Sequence, residues 1–465
     1  MSAKVEALSL TCPVSFPSPS TPLTEALHRW SETSLEHPAL IITPETEADI
    51  AAAIAIAREN GLKLLPAGGG HSTFVRVTPK TLYLDLKAFN SVALIRQAGT
   101  VRFGGGATTA DVTKTLAAKG YYIPAPDSNA VGMVGALLGG GTSSLNGLHG
   151  FMAENAVSFR LVTADGRARE VCGTSTDPDE RALFHTLCGA GHGLGVITAA
   201  TMRAYPVAHL RLADGKVWAR TLMFPPAALD TAAATFLSLL PPPAPLSARL
   251  VFVRAPPGSP AAGQPLIMVS VRYFGPVDDA ERAAAVLLCA EVLEKTVHAE
   301  TSLTRIADLP DRLDALNAHG GLKDNQAAQL ERHSSEAIAE SFAKWRDVTD
   351  RHEDAKLTTV VFSGFRPREP AQDEEGFKNP ERGNAVLVAT WCRNQETRRD
   401  LLGFMEGIME VSRRLDGTRP RTPPNNMTDA TRLEEMFSPE QIDLMRKTKE
   451  RWDPEGVFWT PYKGL

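Results

Sequence analysis

The chain has 465 residues, 43% hydrophobic and 22% charged, with 49 Lys+Arg against 54 Asp+Glu and a formal net charge of -5. That length allows two or three domains, or two that share one large core. Interspersed charges and an ordinary apolar content exclude a disordered chain. No Lys/Arg-rich stripe supplies the electrostatic footprint of a nucleic-acid binder. Cys12, Cys172, Cys188, Cys289 and Cys392 are few, odd in number and far apart, with no metal-ligand spacing, so neither a disulfide framework nor a zinc site is expected. The first twenty residues lack an apolar core segment, so no secretory signal is visible and a cytoplasmic location is expected. Asn426-Met427-Thr428 is a formal glycosylation sequon, which means little without such a signal. Residues 128–153 carry no Asp, Glu, Lys or Arg, yet hold Gly132, Gly135, Gly139, Gly140, Gly141, Gly147 and Gly150. So many glycines suit backbone approaching a ligand better than a spanning helix, and no membrane association is expected.

After a Pro/Ser-rich arm at 13–22, the first clear unit runs from Pro38. Ala39–Ile42 reads as a strand. Thr43 then caps a helix with Pro44 at its first position and Glu45 and Glu47 in its first turn. Strands follow at 62–65, 82–86 and 101–103, then a helix at 109–119, then strands at 157–164 and 196–205. Past Pro206, strand-like runs at 217–223, 248–253, 266–273, 358–362 and 385–391 alternate with helical patterns near 226–240, 278–295, 334–350 and 396–415. A final helix is expected over 439–451. The pattern predicts an α+β chain: a first domain at 1–207 with its core at 38–207, an antiparallel sheet covered by helices at 208–424, and a tail at 425–465 that returns to the first domain. No internal repeat is present.

Three glycine clusters, Gly68–Gly70, Gly104–Gly106 and Gly139–Gly141, adjoin strands, and a fourth runs from Gly189 to Gly195. Backbone without Cβ brings N–H groups close to phosphate oxygens or to a flat ring system. A dinucleotide-fold reading of the fourth cluster fails. Its sixth position is Leu194, and a strand rather than a helix follows, so a pyrophosphate would have no helix N-terminus to sit on.

Taken in order, Gly69-Gly70-His71-Ser72, Val131-Gly132-Met133-Val134-Gly135 with Gly139-Gly140-Gly141, Gly191 to Gly195-Val196-Ile197, and Asp453-Pro454 with Phe458 make the chain resemble a known family. It is similar to the berberine bridge enzyme-like oxidoreductases of the vanillyl-alcohol oxidase/p-cresol methylhydroxylase (PCMH-type FAD-binding) superfamily. That resemblance implies bound FAD, cradled by Ala67, Gly68, Gly69, Gly70, His71 and Ser72 and by Val131, Gly132, Gly135, Gly139, Gly140 and Gly141, with Val196 and Ile197 toward the adenine end. It implies a covalent bond from His71 to the flavin 8α-methyl carbon, for which a neutral imidazole nitrogen is the nucleophile. The second tether of many relatives is a cysteine. Its position is Ser128 here, so a single attachment is expected. Val131 matches a position associated in relatives with oxygen access.

The resemblance also implies a Tyr-x-Asn near the end of the substrate domain, and here the chain departs from it. The matching stretch reads Thr422-Pro423-Pro424-Asn425-Asn426, and no tyrosine lies between Tyr273 and Tyr462. Candidate catalytic residues are therefore His149, Tyr273, Trp391 and Asn426, with Asn425 and Arg393 as further substrate contacts. For Tyr273 and Trp391, sheet packing competes with a role at the flavin. Four functions stay open: an oxidase of an alcohol- or amine-like carbon in a carbohydrate or secondary metabolite, passing a hydride to flavin N5 and then to oxygen; a flavin dehydrogenase that reacts poorly with oxygen; a non-redox cyclase on the same scaffold; and a binding protein that has lost catalysis.

Overall fold

The structure, a computed structural model, describes residues 10–259, 261–367, 377 and 382–465. Its first sheet has the order β1 (Val14–Ser15), β2 (Leu40–Ile42), β4 (Thr81–Asp85), β3 (Lys63–Ala67). β2, β4 and β3 run parallel, and β1 is antiparallel on the edge. β2 is buried along its whole length because the helix Glu47–Glu59 packs its Ile50, Ala53, Ile54 and Ala57 into the same core. The cap of that helix is Thr46 rather than Thr43. The Thr46 hydroxyl accepts the Asp49 N–H at 3.1 Å, and the Asp49 carboxylate accepts the Thr46 N–H at 2.9 Å. This reciprocal pair satisfies two orphan donors at once, which Thr43 is too far out to do.

The second sheet is antiparallel, in the order β5 (Val92–Ile95), β6 (Thr100–Gly104), β10 (Val196–Arg203), β8 (Ala156–Val162), β9 (Ala168–Cys172). A short ribbon pairs β7 (Tyr121–Tyr122) with β11 (Tyr205–Pro206). The largest sheet has seven antiparallel strands: β15 (His298–Arg305), β12 (Lys216–Phe224), β14 (Pro265–Tyr273), β13 (Leu246–Arg254), β17 (Thr359–Gly364), β18 (Asn384–Ala389), β16 (Asn325–Leu330). Together the elements form the α+β architecture that the patterning predicts. Strands β15 and β16 were not legible as strands. HAETSLTR is exposed along most of its length, and NQAAQL contains no β-branched residue. The helical pattern at 278–295 is broken into Val277–Ala283, a 3-10 turn at Ala285–Leu288 and Ala290–Leu293.

Period-two alternation decides what the large sheet offers to its two sides. Leu246, Ala248, Leu250 and Phe252 of β13 join Ile267, Val269, Val271 and Tyr273 of β14 in a core shared with the helices Leu229–Leu237, Ser335–Arg351 and Gln395–Asp416. The intervening residues, Ser247 and Arg249 on β13 and Ser270 and Arg272 on β14, occupy the opposite face. From that face the Arg249 and Arg272 side chains reach Asp127, in the loop after β7. Arg272 bonds the Asp127 carboxylate at 2.8 Å, Arg249 bonds its other oxygen, and Ser144 donates to it at 2.8 Å.

Burial alone would raise the Asp127 carboxyl pKa. The guanidinium charges of Arg249 and Arg272 outweigh burial and hold it far below the usual carboxylate range. Its stabilising contribution is complete above the unfolded value of about 3.9 and is lost as pH falls through the lower folded value. Asp127→Ala leaves two guanidinium groups facing each other uncompensated. It is expected to lower stability by about 3–5 kcal/mol and to flatten the acid limb of a stability–pH curve measured by denaturant unfolding.

The chain end returns to β3. Leu64 N–H donates to the Val457 carbonyl at 3.0 Å, and Trp459 N–H donates to the Leu64 carbonyl at 2.9 Å. Asp453 makes this turn: its carboxylate accepts the N–H groups of Val457 and Phe458 at 2.8 and 3.0 Å and the Lys449 ammonium at 2.6 Å. The preceding helix, Pro439–Trp452, is tied to the helix Pro178–Ala190 by Arg451–Asp179 at 2.7 Å. No helix of the described residues is long and apolar enough to cross a membrane.

Candidate cofactor-binding site

β3 ends at Ala67 and runs directly into Gly68-Gly69-Gly70-His71-Ser72. This turn forms one wall of a cleft of about 260 Å³. Val131, Gly132, Gly135 and Gly141 face it from the loop and helix around Met133–Leu138, and Gly105, Gly193, Gly195 and Ile197 close it from the second sheet. The glycines are required here. A Cβ on Gly69 would collide with the Gly132 backbone and lie 2.7 Å from the Ala130 carbonyl. Gly70 has φ +65°, and a Cβ there would strike the His28 carbonyl. The two glycine loops therefore touch backbone to backbone, and the cradle exists only without side chains.

Of the residues expected to bind cofactor, Ala67, Gly68, Gly69, Gly70, His71, Ser72, Val131, Gly132, Gly135, Gly141 and Ile197 line this cleft. Four do not. Val196 is wholly buried in the core beside Leu64 and Leu84, because alternation along β10 turns it away from Ile197. Ser128 donates to Asn317 Oδ1 at 2.7 Å. Gly139 lies against the Asn425 side chain, which leaves no room for a Cβ, and the Gly140 carbonyl accepts Ala153 N–H at 2.9 Å.

Among the candidate catalytic residues, Asn426 lines the cleft and donates to Asn325 Oδ1 at 3.4 Å. Tyr273 lies in the core under the helices, on the face of β14 away from the Arg272 side. The His149 ring stacks on Tyr205 at 3.8 Å and bonds the Tyr122 hydroxyl at 2.9 Å. Tyr205 in turn bonds Asn155, and Asn155 bonds the His149 carbonyl. This closed network sits outside the cleft lining. Burial holds the His149 pKa down at about 4. Trp391 packs on Lys323 rather than in the cleft, with the ammonium 4.0 Å from the ring centroid. Asn425 lines the cleft and donates to the Ala136 carbonyl at 2.7 Å. Arg393 is exposed, and its backbone N–H bonds Asp354.

Sequence reasoning missed Arg29, His192 and Asn325, all of which line the cleft. Arg29 belongs to a segment without periodic pattern, and it is buried, donating to the Ser72 carbonyl at 2.5 Å. His192 lay in plain view within Gly191-His192-Gly193. Three buried nitrogens in the cleft wall lack any hydrogen-bond partner: Arg29 Nε, His71 Nε2 and His192 Nε2. Burial, reinforced by the charges of Lys323, His319 and Arg29, holds His71 down at about 3. Burial holds His192 down at about 4. Both rings are neutral at physiological pH. Unpartnered buried nitrogens around a backbone cradle fit a polar, planar cofactor, since buried polar groups are otherwise satisfied. No group of three His, Cys, Asp or Glu among the described residues is placed to hold a metal ion.

Residues 38–171 match the family model described as the FAD binding domain. Over 452 residues, 93% of each chain, the protein is 29% identical to the FAD-linked oxidoreductase hasG of Aspergillus fumigatus. The chain thus carries an FAD binding domain and is similar along nearly its whole length to FAD-linked oxidoreductases. Its fold is that of BBE-like 1 from Physcomitrella patens, with a TM-score of 0.81, 17% identity and 98% of both chains covered. The 6-hydroxy-D-nicotine oxidase of Arthrobacter nicotinovorans superposes with a TM-score of 0.79, at 22% identity over 97% of both chains. Both glycine walls of the cleft, residues 68–72 and 131–141, fall within the matched residues 38–171.

Proposed function

We propose that this oxidoreductase is an oxidase of an alcohol-like carbon in an uncharged small molecule, a carbohydrate or a secondary metabolite, and that its FAD is tethered once, through His71. In this reading residues 1–207 and 425–465 hold the cofactor and 208–424 supply the substrate side. The observation that carries it is the His71 ring: buried, neutral, with Nε2 unpartnered, in the wall of the glycine cleft. The tether joins an imidazole nitrogen to the 8α-methyl carbon of the flavin; nitrogen and methyl each give up a proton, and the two electrons released pass to molecular oxygen. Bound FAD supplies a two-electron acceptor for substrate hydride and returns those electrons to oxygen. Ser128 offers no thiolate for a second bond and is already committed to Asn317.

The described cleft lining contains no carboxylate, and Arg29 is its one permanent cation. A protonated amine would enter with nothing to pair it, whereas a hydroxyl can be oriented by the carboxamides of Asn325 and Asn426. These amides orient; they do not take up the proton. Val131 lines the cleft wall, and in this reading its small side chain leaves oxygen access to the bound flavin. Anaerobic mixing of the yellow enzyme with panels of primary alcohols, sugars and amines is expected to bleach the flavin with hydroxyl substrates and not with amines. Admitting air should restore the colour within seconds. Slow recolouring would make the enzyme a dehydrogenase, and bleaching by amines alone would contradict the substrate class. The missing tyrosine favours one second reading, a cyclisation without net redox change, in which substrate turns over while the flavin stays yellow throughout.

A further inference from the structure

Lys323 is wholly buried, two residues before strand β16. Its ammonium lies 4.6 Å from the centroid of Trp30 and 4.0 Å from that of Trp391. It donates to the Trp30 carbonyl at 2.8 Å and to the Ala318 carbonyl. No ion pair joins it among the described residues. On the far link of this chain of contacts, the Trp30 ring stacks on His71 at 4.5 Å, with 12° between the planes. The Trp30 indole N–H is anchored to the Leu316 carbonyl at 2.8 Å. Lys323 main-chain atoms are stitched to the same arm: its N–H donates to Ser31 Oγ at 3.0 Å, and its carbonyl accepts from Ser31 Oγ at 2.7 Å and Thr33 Oγ1 at 3.1 Å.

We propose that Lys323 is the positioning residue for the tether: its ammonium, clamped between Trp30 and Trp391, fixes the Trp30 indole, and that indole fixes the plane of the His71 imidazole. This rests on the His71 attachment proposed above. Taking an ammonium out of water without a carboxylate partner is costly, and an apolar side chain would fill the same space at less expense. What the charge adds is direction. Two indole faces and two carbonyls define one place for the cation, and desolvation strengthens each cation–π contact. Lys323 also stands two residues before Asn325, so the same clamp registers the edge of the substrate sheet against the His71 turn. A fixed positive charge near the tether further favours electron uptake by the flavin, and Trp391 acquires a role behind the cofactor rather than on the substrate.

The test compares apo-protein variants loaded with FAD, following the acid-stable flavin with time. Lys323→Met is expected to bind FAD but to form acid-stable flavin at least tenfold more slowly than wild type, and Lys323→Arg is expected to restore most of the rate. In a His71→Ala background, where no tether forms, adding Lys323→Met should lower the flavin midpoint potential, which a purely structural role would leave unmoved. Should Lys323→Met fail to fold, Trp391→Phe, which removes one indole face and keeps the cation, is expected to slow attachment about threefold. Wild-type attachment and an unchanged potential in Lys323→Met, or wild-type attachment in Trp391→Phe, beside acid-labile flavin in His71→Ala, would overturn the role of Lys323 alone. Acid-stable flavin in His71→Ala would overturn the tether and the clamp together.

Discussion

Gly69→Ala protein is expected to be recovered without FAD and markedly destabilised. The added methyl would meet backbone on two sides, the Gly132 main chain and the Ala130 carbonyl, and no rotamer change can relieve a clash with backbone. Forcing a methyl into such a contact costs about 1–3 kcal/mol or more. The strain falls on the two loops that line the cleft, so the cradle opens as the stability drops. Gly403→Ala is the matched control. Gly403 lies inside the helix Gln395–Asp416 with open space where a Cβ would go, and it is expected to be neutral or stabilising by up to about 1 kcal/mol. The absorption of purified protein near 450 nm (roughly, from the general spectrum of oxidised flavins) and a thermal melt read both effects.

His71→Ala is expected to separate binding from attachment. The glycine cradle, Arg29 and His192 remain, so FAD still binds and the protein stays yellow. After acid precipitation the flavin should leave with the supernatant. An imidazole nitrogen on the 8α carbon withdraws electron density, so the variant flavin should also have a lower potential and be reduced by substrate about tenfold or more slowly, which corresponds to about 1.4 kcal/mol in the barrier. A variant that retains acid-stable flavin, or one with unchanged reduction kinetics, would show that His71 is not joined to the cofactor.

How much of this was legible in the sequence follows from how local each signal is. The glycine clusters were readable because close backbone approach demands glycine whatever the surroundings, and Gly69, Gly70 and Gly132 do stand at backbone contacts. Asp453 entered through the family motif alone; the structure shows why that motif is local, since its carboxylate caps Val457 and Phe458, four and five residues away. Thr46 could have been found: Thr46-x-x-Asp49 is a capping box in the sequence itself, and the proline at position 44 drew the reading one turn too early. Tyr273 needed parity rather than propensity, since only the burial of Val269 and Val271 beside it reveals which side of β14 meets the helices. Arg29, Trp30, Lys323 and Asn325 left no local trace. They belong to irregular segments or to a polar strand, and about 290 residues separate Trp30 from Lys323, a contact that only the assembled fold creates.

The most direct measurement is peptide mapping of the purified enzyme: denature in acid, digest with trypsin, and locate the flavin by fluorescence and mass. The expected result is a single flavin-bearing peptide, Leu64–Arg76, with the modification on His71. Flavin recovered entirely free after denaturation, or carried by any other peptide, would contradict a cofactor tethered once at His71.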